Sequence, residues 1–396
     1  MDNAVKKRIR KSKEYVVQQV PYYKQLGVTA DLSTPNFDEF PIITKDDLRR
    51  NPENFLTCRN GLVPEFTSGS TGFPLTLYKT KSEMMHLEAM LVRERKKAVK
   101  DFHKLKLIKF YAELHTGDNR CYEKIHRENQ ILYLSMLHMN PEDMASYADA
   151  IEAEATDGAW MMGPPSVISR FAQYLCDVGK KLHNIKFVEF TGELLSDYQR
   201  RITDQAFQCV VRNHYGCREF WCIAYECEYG RMHILQDHVY AENSEQGLLV
   251  STLDQRTMPL IRYCVGDHCI VSHTDCPCGN PAPVLETFGG RTTDFIKTPD
   301  GREMSSILMY MIVVNMNLLF QNIVQHFKVV QTQLNSFEVY IVADSAQDIT
   351  KKPQQYFCEQ LTLLLGYEPS ISFHYVDQIQ VDPKTGKFKY FVSKLQ

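Results

Sequence analysis

Residues Phe66 to Pro74, Phe-Thr-Ser-Gly-Ser-Thr-Gly-Phe-Pro, crowd hydroxyls and glycines into one short stretch ahead of an apolar run. Gly69 and Gly72 can take positive φ and leave backbone N–H groups pointing into one concavity, while Thr67, Ser68, Ser70 and Thr71 ring it with hydroxyl donors. The chemistry of such a turn is anion binding, and a polyphosphate is its natural ligand. It is not the common nucleotide loop, which separates its glycines by four residues and continues with Lys and Ser or Thr. Here only Ser70 and Thr71 lie between the glycines, and Phe73 follows. Taken alone, the stretch is better read as a flexible surface loop, so its weight depends on what lies downstream. A second chemical signal is Cys276-Pro277-Cys278-Gly279, two thiols flanking a proline in a Gly-ended turn. A disulfide between them would be strained, whereas two thiolates can meet one metal. Cys227 and His233 frame a Gly-containing loop upstream and would complete a tetrahedral, structural zinc set of three thiolates and one imidazole. His238, His268, Cys269 and His273 are rival ligands, and four unconnected buried residues are the plain alternative.

The chain that must position these groups has 396 residues, too many for one simple core and enough for two or three domains. Its 45 basic residues nearly balance 48 acidic ones, so no overall field draws it to nucleic acid or to an anionic membrane. The basic cluster Lys6, Lys7, Arg8, Arg10, Lys11 and Lys13 reads as the solvated face of a helix. No apolar run approaches the ~18 residues of a membrane span, and the charged start lacks the apolar core of a signal peptide. The expected compartment is therefore the cytoplasm, with reduced thiols, some of them held by metal.

Secondary-structure signals alternate along most of the chain. Residues 1–60 read as a helical lead-in, with Thr44 as the N-cap of a short helix whose first turn holds Asp46 and Asp47. Leu75 to Tyr78 alternates as a strand, and a helix begins at Ser82. Leu105 to Tyr111, Ile131 to Leu134, Ile185 to Phe190 and Cys209 to Val211 read as strands, interleaved with helices over Pro141 to Ala153 and Val167 to Val178. This order implies a largely parallel sheet covered by helices, with functional loops at strand ends. Leu248 to Thr252 and Ile261 to Tyr263 suggest a more antiparallel subdomain. Beyond the Gly289-Gly290-Arg291 break, a helix over Ser305 to Val324, strands at Phe327 to Gln331 and Phe337 to Val342, a helix over Lys352 to Leu365 and a strand at Ile371 to Tyr375 form a small α+β domain.

Six motifs in a fixed order then resemble the adenylate-forming ligase superfamily, specifically its phenylacetate-CoA ligase-like branch. Thr67 to Pro74 is similar to its phosphate loop, Gly192-Glu193 to its adenine-contacting segment, and Tyr215-Gly216-Cys217-Arg218-Glu219 to its aromatic-Gly-x-x-Glu motif. Asp267, closing Tyr263-Cys264-Val265-Gly266-Asp267, resembles the ribose-binding Asp. Gly290-Arg291 with Asp294 resembles the hinge motif, and Pro383-Lys384-Thr385-Gly386-Lys387 the C-terminal catalytic-lysine motif. The resemblance spans about Val20 to Lys394.

It implies an α/β fold: a large N-terminal domain of mixed and parallel sheets over residues 1–290, and a small α+β domain over 291–396 that rotates about a hinge. The zinc ligands would form a subdomain around 227–278, an arrangement found in many relatives of this branch. The implied activity is ATP-dependent activation of a carboxylic acid to an acyl-adenylate, then transfer to a thiol, most simply CoA. A separate carrier protein, an amine acceptor and a non-catalytic member of the fold are the alternatives, and a homodimer is left open. The implied roles place Lys387, Glu219 and Thr67 in catalysis, with Glu219 also a Mg²⁺ ligand. Ser68, Gly69, Ser70, Thr71, Gly72, Gly192, Glu193, Tyr215, Gly216, Cys217, Asp267 and Arg291 contact ATP. The family's best-known members carry Lys where this chain has Phe73, and Lys79 and Lys81 are the nearby candidates to supply the missing cation. Phe110, Tyr111, Tyr215, Phe220 and Trp221 near the expected pocket fit an aromatic acid, although aromatics beside strands are more often core.

Overall fold

The computed structural model describes residues 2–66, 75–111, 124–136, 138–192, 195, 197–267, 269–287, 295–320, 324, 326–343, 351–377, 379 and 390–395. Contacts group the chain into two units, the first made of residues 1–67, 75–103 and 212–291, the second of residues 68–74, 104–211 and 292–396.

In the first unit the opening helix, Asn3–Gln19, buries Val5, Ile9, Ser12, Lys13 and Val16 along one stripe, the spacing of an amphipathic helix. Lys13 departs from the expected solvated face. It is fully buried, with its ammonium 2.8 Å from Glu39 Oε1 and donating to the carbonyl of Asp31 at 2.7 Å. A buried ammonium is tolerable only when paired and hydrogen-bonded in this way. The short helix Lys45–Arg50 starts at Thr44 as expected, with the Thr44 N–H donating to Asp47 Oδ2 at 2.8 Å. Strands Leu62–Phe66 and Thr76–Thr80 pair as an antiparallel hairpin, and the helix Lys81–Ala98 follows, capped by the Thr80 hydroxyl. Val210–Tyr215, Ala224–Glu226, Met232–Ile234, Val284–Thr287 and Cys269–Ser272 run as successive antiparallel neighbours. A second antiparallel sheet joins Val239–Ser244, Gly247–Thr252 and Tyr263–Cys264. Phe220, Ile223, Leu248, Val250 and Tyr263 lie in the core between these elements.

The second unit contains the parallel strands. Ile185–Phe190, Ala159–Gly163, Lys106–Tyr111 and Ile131–Ser135 are parallel neighbours in that order, and Ile125–Glu128 closes the edge antiparallel. Helices Pro141–Glu154 and Pro165–Asp177 connect successive members of this set, and Asp197–Phe207 follows Ile185–Phe190. Residues 292–396 contribute the hairpin Phe295–Lys297 and Glu303–Ser305, the helices Ile307–Leu319 and Lys351–Leu365, and a four-stranded sheet in the order Ser370–Tyr375, Ser336–Val342, His326–Gln333, Phe391–Ser393. One continuous core runs through the unit, from Ile108 and Phe171 to Leu308, Ile312, Val339 and Leu361. The helix expected to reach Val324 ends at Leu319, where the Phe320 N–H bonds the Met316 carbonyl. Its sequence is apolar on almost every face, and Leu308, Met309, Ile312, Val313 and Met316 are buried. No helix among the described residues is long and apolar enough to cross a membrane.

Candidate active site and metal centre

The strand Val210–Tyr215 ends at a tight turn, residues 216–221, on which the aromatic-Gly-x-x-Glu residues sit. Gly216 makes the turn possible. A Cβ on it would stand 1.9 Å from the Trp221 carbonyl oxygen, so the chain folds back on itself at a distance that only glycine permits. Trp221 adopts a left-handed backbone conformation (φ 61°), uncommon for a bulky residue. Its N–H bonds the Cys217 carbonyl at 2.6 Å, and its indole Nε1 donates to Glu65 Oε2 at 3.0 Å.

Four further expected site residues come together here. Glu219 is buried, 6% exposed, and its Oε1 accepts a 2.6 Å bond from the Tyr263 hydroxyl. Tyr215 donates its hydroxyl to Asp267 Oδ2 at 2.7 Å. Burial first, and then the charge of Asp267, holds the Tyr215 phenol well above its ordinary pKa, so it remains a donor. Cys217 lies between the acids; burial and then the charge of Glu219 push its thiol up strongly, which keeps it neutral. Asp267 itself is pinned by backbone, its carbonyl accepting from Leu248 N–H at 3.1 Å. Gly247 (φ 104°) is required there too, because a Cβ would approach the Asp267 oxygen to 2.8 Å. Gly192 is an exposed residue with φ 85° just after strand Ile185–Phe190. Thr67, Ser68, Gly69, Ser70, Thr71, Gly72, Glu193, Arg291, Asp294 and Lys387 lie outside the described residues.

Two expectations about neighbouring side chains change. Lys79 is not free to act as the missing loop cation: it is buried, paired with Glu65 Oε2 at 2.7 Å and bonded to the Arg218 carbonyl at 2.9 Å. Phe110 and Phe220 are core rather than pocket residues, Phe110 against Tyr147 and Phe171, and Phe220 fully buried near Tyr263. Tyr263, the partner of Glu219, escaped the motif reading because it stands 44 residues away in sequence, within a motif prized only for its final Asp.

The cysteine signals converge as well. The ligand atoms of Cys227, His233, Cys276 and Cys278 all lie within 4.8 Å of one another. Cys227 Sγ is 3.8 Å from Cys276 Sγ, and Cys278 Sγ is 3.3 Å from His233 Nε2. With Zn–S of ≈ 2.3 Å, a tetrahedron has edges of about 3.8 Å, so the spacing fits that ion. His233 Nδ1 donates to the Ala282 carbonyl at 3.0 Å, which leaves Nε2 as a lone-pair donor facing the thiols. Of the rival ligands, His238 is bonded to Asp254 and the Phe220 carbonyl, and Cys269 lies beside Tyr215. His273 is not part of the cluster, and His268 lies outside the described residues.

The CapK C-terminal domain family matches residues 296–394. Protein CapK of Staphylococcus aureus is 25% identical over 415 residues, covering 96% of this chain and 87% of its own. The phenylacetate-coenzyme A ligase of Thermus thermophilus is 23% identical, covering 73% and 70%. The indoleacetate–lysine synthetase of Pseudomonas savastanoi is 30% identical over 117 residues, 28% of this chain and 29% of that protein. Among solved structures, 2-hydroxyisobutyryl-CoA ligase in complex with 2-HIB-AMP and CoA superposes with a TM-score of 0.62 at 15% identity, covering 99% of this chain and 89% of that one. Along most of its length the chain is thus similar to CapK and to a phenylacetate-coenzyme A ligase. Its mixed α/β architecture with a C-terminal α+β region is the adenylate-forming ligase fold.

Proposed function

We propose that this protein is a ligase that activates an arylacetic-type carboxylic acid with ATP, releasing pyrophosphate, and passes the acyl group to CoA. The observation that carries the reading is the set Tyr215, Cys217, Glu219 and Asp267 gathered around one glycine-dependent turn, in a chain with the adenylate-forming ligase fold. The acid's oxygen must attack the α-phosphorus, so the site has to neutralise a crowded polyphosphate and hold purine and ribose. Thr67 to Gly72 cradle the β- and γ-phosphates. Gly192-Glu193 and Tyr215 with Gly216 and Cys217 take the adenine side, and Asp267 accepts the ribose hydroxyls. Glu219 offers Mg²⁺ a hard oxygen already oriented by Tyr263; the ion, when bound, offsets phosphate charge. Residues 291–396 form a mobile domain that turns about Arg291 to Asp294 and brings Lys387 to the reacting oxygens. Cys227, His233, Cys276 and Cys278 hold a structural zinc with all four coordination places filled.

Two relatives, by name, act with phenylacetate and indoleacetate, which supports the acid class. In ATP–pyrophosphate exchange, phenylacetate and indoleacetate should outperform acetate and palmitate; an advantage for acetate or palmitate over every aryl acid removes this substrate class. The local likeness to an indoleacetate–lysine synthetase favours a second acceptor, an amine. Product analysis with CoA, with lysine and with neither separates the two: a thioester supports CoA, an amide the amine. The zinc reading has its own check. Purified protein should carry about one zinc per chain, and Cys276→Ser should lower both metal content and melting temperature, since metal binding and folding are coupled. A metal-free native protein of equal stability sinks it.

A further inference from the structure

The turn that carries Glu219 is gripped by side chains that the adenylation chemistry leaves without a task. Three consecutive peptide carbonyls each accept a hydrogen bond from a buried or nearly buried donor. Lys79 Nζ donates to the Arg218 carbonyl at 2.9 Å, Gln255 Nε2 to the Glu219 carbonyl at 3.1 Å, and His238 Nε2 to the Phe220 carbonyl at 2.7 Å. A carbonyl can only accept, so Nε2 of His238 carries a proton. The three donors are 3%, 3% and 0% exposed. They come from separate places: the strand Thr76–Thr80, the segment after strand Gly247–Thr252, and the residue before strand Val239–Ser244. Two of the donors are themselves anchored. Lys79 is paired with Glu65, which also accepts from Trp221 of the same turn. His238 Nδ1 lies 2.6 Å from Asp254 Oδ1, and Asp254 Oδ2 lies 2.9 Å from His86. Lys79, Gln255 and Glu219 also line one small cavity.

Geometry gives this arrangement a consequence. The peptide planes on either side of a residue fix its φ and ψ, and thereby the direction of its Cα–Cβ bond. Lys79 fixes the plane before Glu219. Gln255 fixes the plane after it, whose N–H also bonds the Cys217 carbonyl at 3.1 Å, and His238 fixes the plane beyond. Tyr263 then fixes the carboxylate at the far end of the side chain. We propose that Lys79, Gln255 and His238 are positioning residues, a three-donor clamp on carbonyls 218 to 220 that aims the Glu219 carboxylate at the magnesium of bound ATP. This rests on the reading of Glu219 as the magnesium ligand.

The test uses ATP and Mg²⁺ alone, with no acid needed. ATP binding is titrated calorimetrically in excess Mg²⁺ and again in EDTA, and the ratio of the two affinities is the readout, which a general loss of stability does not move. Glu219→Gln should remove most of the magnesium advantage. Lys79→Met, Gln255→Met and His238→Leu should each reduce it by about three- to tenfold, the range expected for one lost hydrogen bond, with affinity in EDTA nearly unchanged. His238→Gln puts an amide donor back near the place of Nε2, leaves Asp254 its contact with His86, and should keep most of the ratio. Lys79→Met strands the Glu65 carboxylate; if it does not fold, Gln255→Met, near isosteric and uncharged, and the His238 pair decide the matter. Folded clamp variants with the wild-type ratio, alongside a Glu219→Gln variant that loses it, overturn the clamp and leave Glu219 standing. A Glu219→Gln variant with the wild-type ratio overturns the reading of Glu219, and the clamp with it.

Discussion

Lys387→Ala should reduce ATP-dependent pyrophosphate release by roughly 10²–10³-fold, the scale set by the loss of one preorganised donor to developing negative charge. Attack of the acid on the α-phosphorus builds charge on the carboxylate, the phosphate and the leaving pyrophosphate oxygens together. An ammonium among them is worth more in the transition state than in the ground state, and only such a difference accelerates the step. Thiol attack on a finished acyl-adenylate expels AMP from a carbonyl carbon and has no equivalent demand. The same variant, supplied with synthetic acyl-adenylate and CoA, should therefore form thioester at close to the wild-type rate. The paired assay also bears on the proposed hinge, since a lysine on a mobile domain would be needed for one half-reaction and withdrawn for the other. Lys384 and Lys389 stand nearby in sequence. If Lys387 is only a solvated charge like them, exchange in the variant will match wild type, and the catalytic assignment of residues 291–396 is lost.

Gly216→Ala should cost at least about 10²-fold in pyrophosphate exchange, the effect of displacing a catalytic group by an ångström or so. The obstacle is backbone. The added methyl would meet the Trp221 carbonyl oxygen at 1.9 Å, its carbon at 2.8 Å and Cys222 Cα at 2.9 Å, and no side-chain rotation relieves these contacts. The turn must open, which moves Glu219 and the three clamped carbonyls. Gly179→Ala is the natural control. Gly179 has φ 67° and nothing within 4 Å of its missing Cβ, so that change costs only left-handed strain, about 1–2 kcal/mol. It should lower the melting temperature modestly while exchange stays near wild type. A Gly216→Ala protein with wild-type exchange would mean that the 216–221 turn does not position the chemistry.

Much of the architecture was legible from consecutive residues because the forces involved are local. The Thr44 cap, the strands Ile131–Ser135 and Ile185–Phe190 and the helix Pro141–Glu154 follow from capping chemistry and periodicity within one window. The hairpin strand Leu62–Phe66 and the strand Ala159–Gly163 were missed, the first short with Pro64 inside it, the second an Ala-Trp-Met-Met-Gly run without alternation. The types and order of the residues around Tyr215, Glu219 and Asp267 were likewise visible, as was the Cys276-Pro277-Cys278 pair. What each side chain does with its charge was settled by partners far along the chain. Lys13 looks like any other lysine of a basic helix until Glu39 and the Asp31 carbonyl surround it. Lys79 looks like a spare cation until Glu65 and the Arg218 carbonyl, 139 residues away, claim it. His238 competes with His233 as a zinc ligand on spacing alone, and only the fold turns one ring toward Asp254 and the other toward the thiols. The need for glycine at 216 belongs to this second class too, since the Trp221 carbonyl is brought over it by the way the turn closes. Sequence determines the menu of local conformations and the chemistry available at each position. Burial and long-range pairing, which set whether a charge is free, neutralised or pointed at a backbone carbonyl, arise only when distant segments pack.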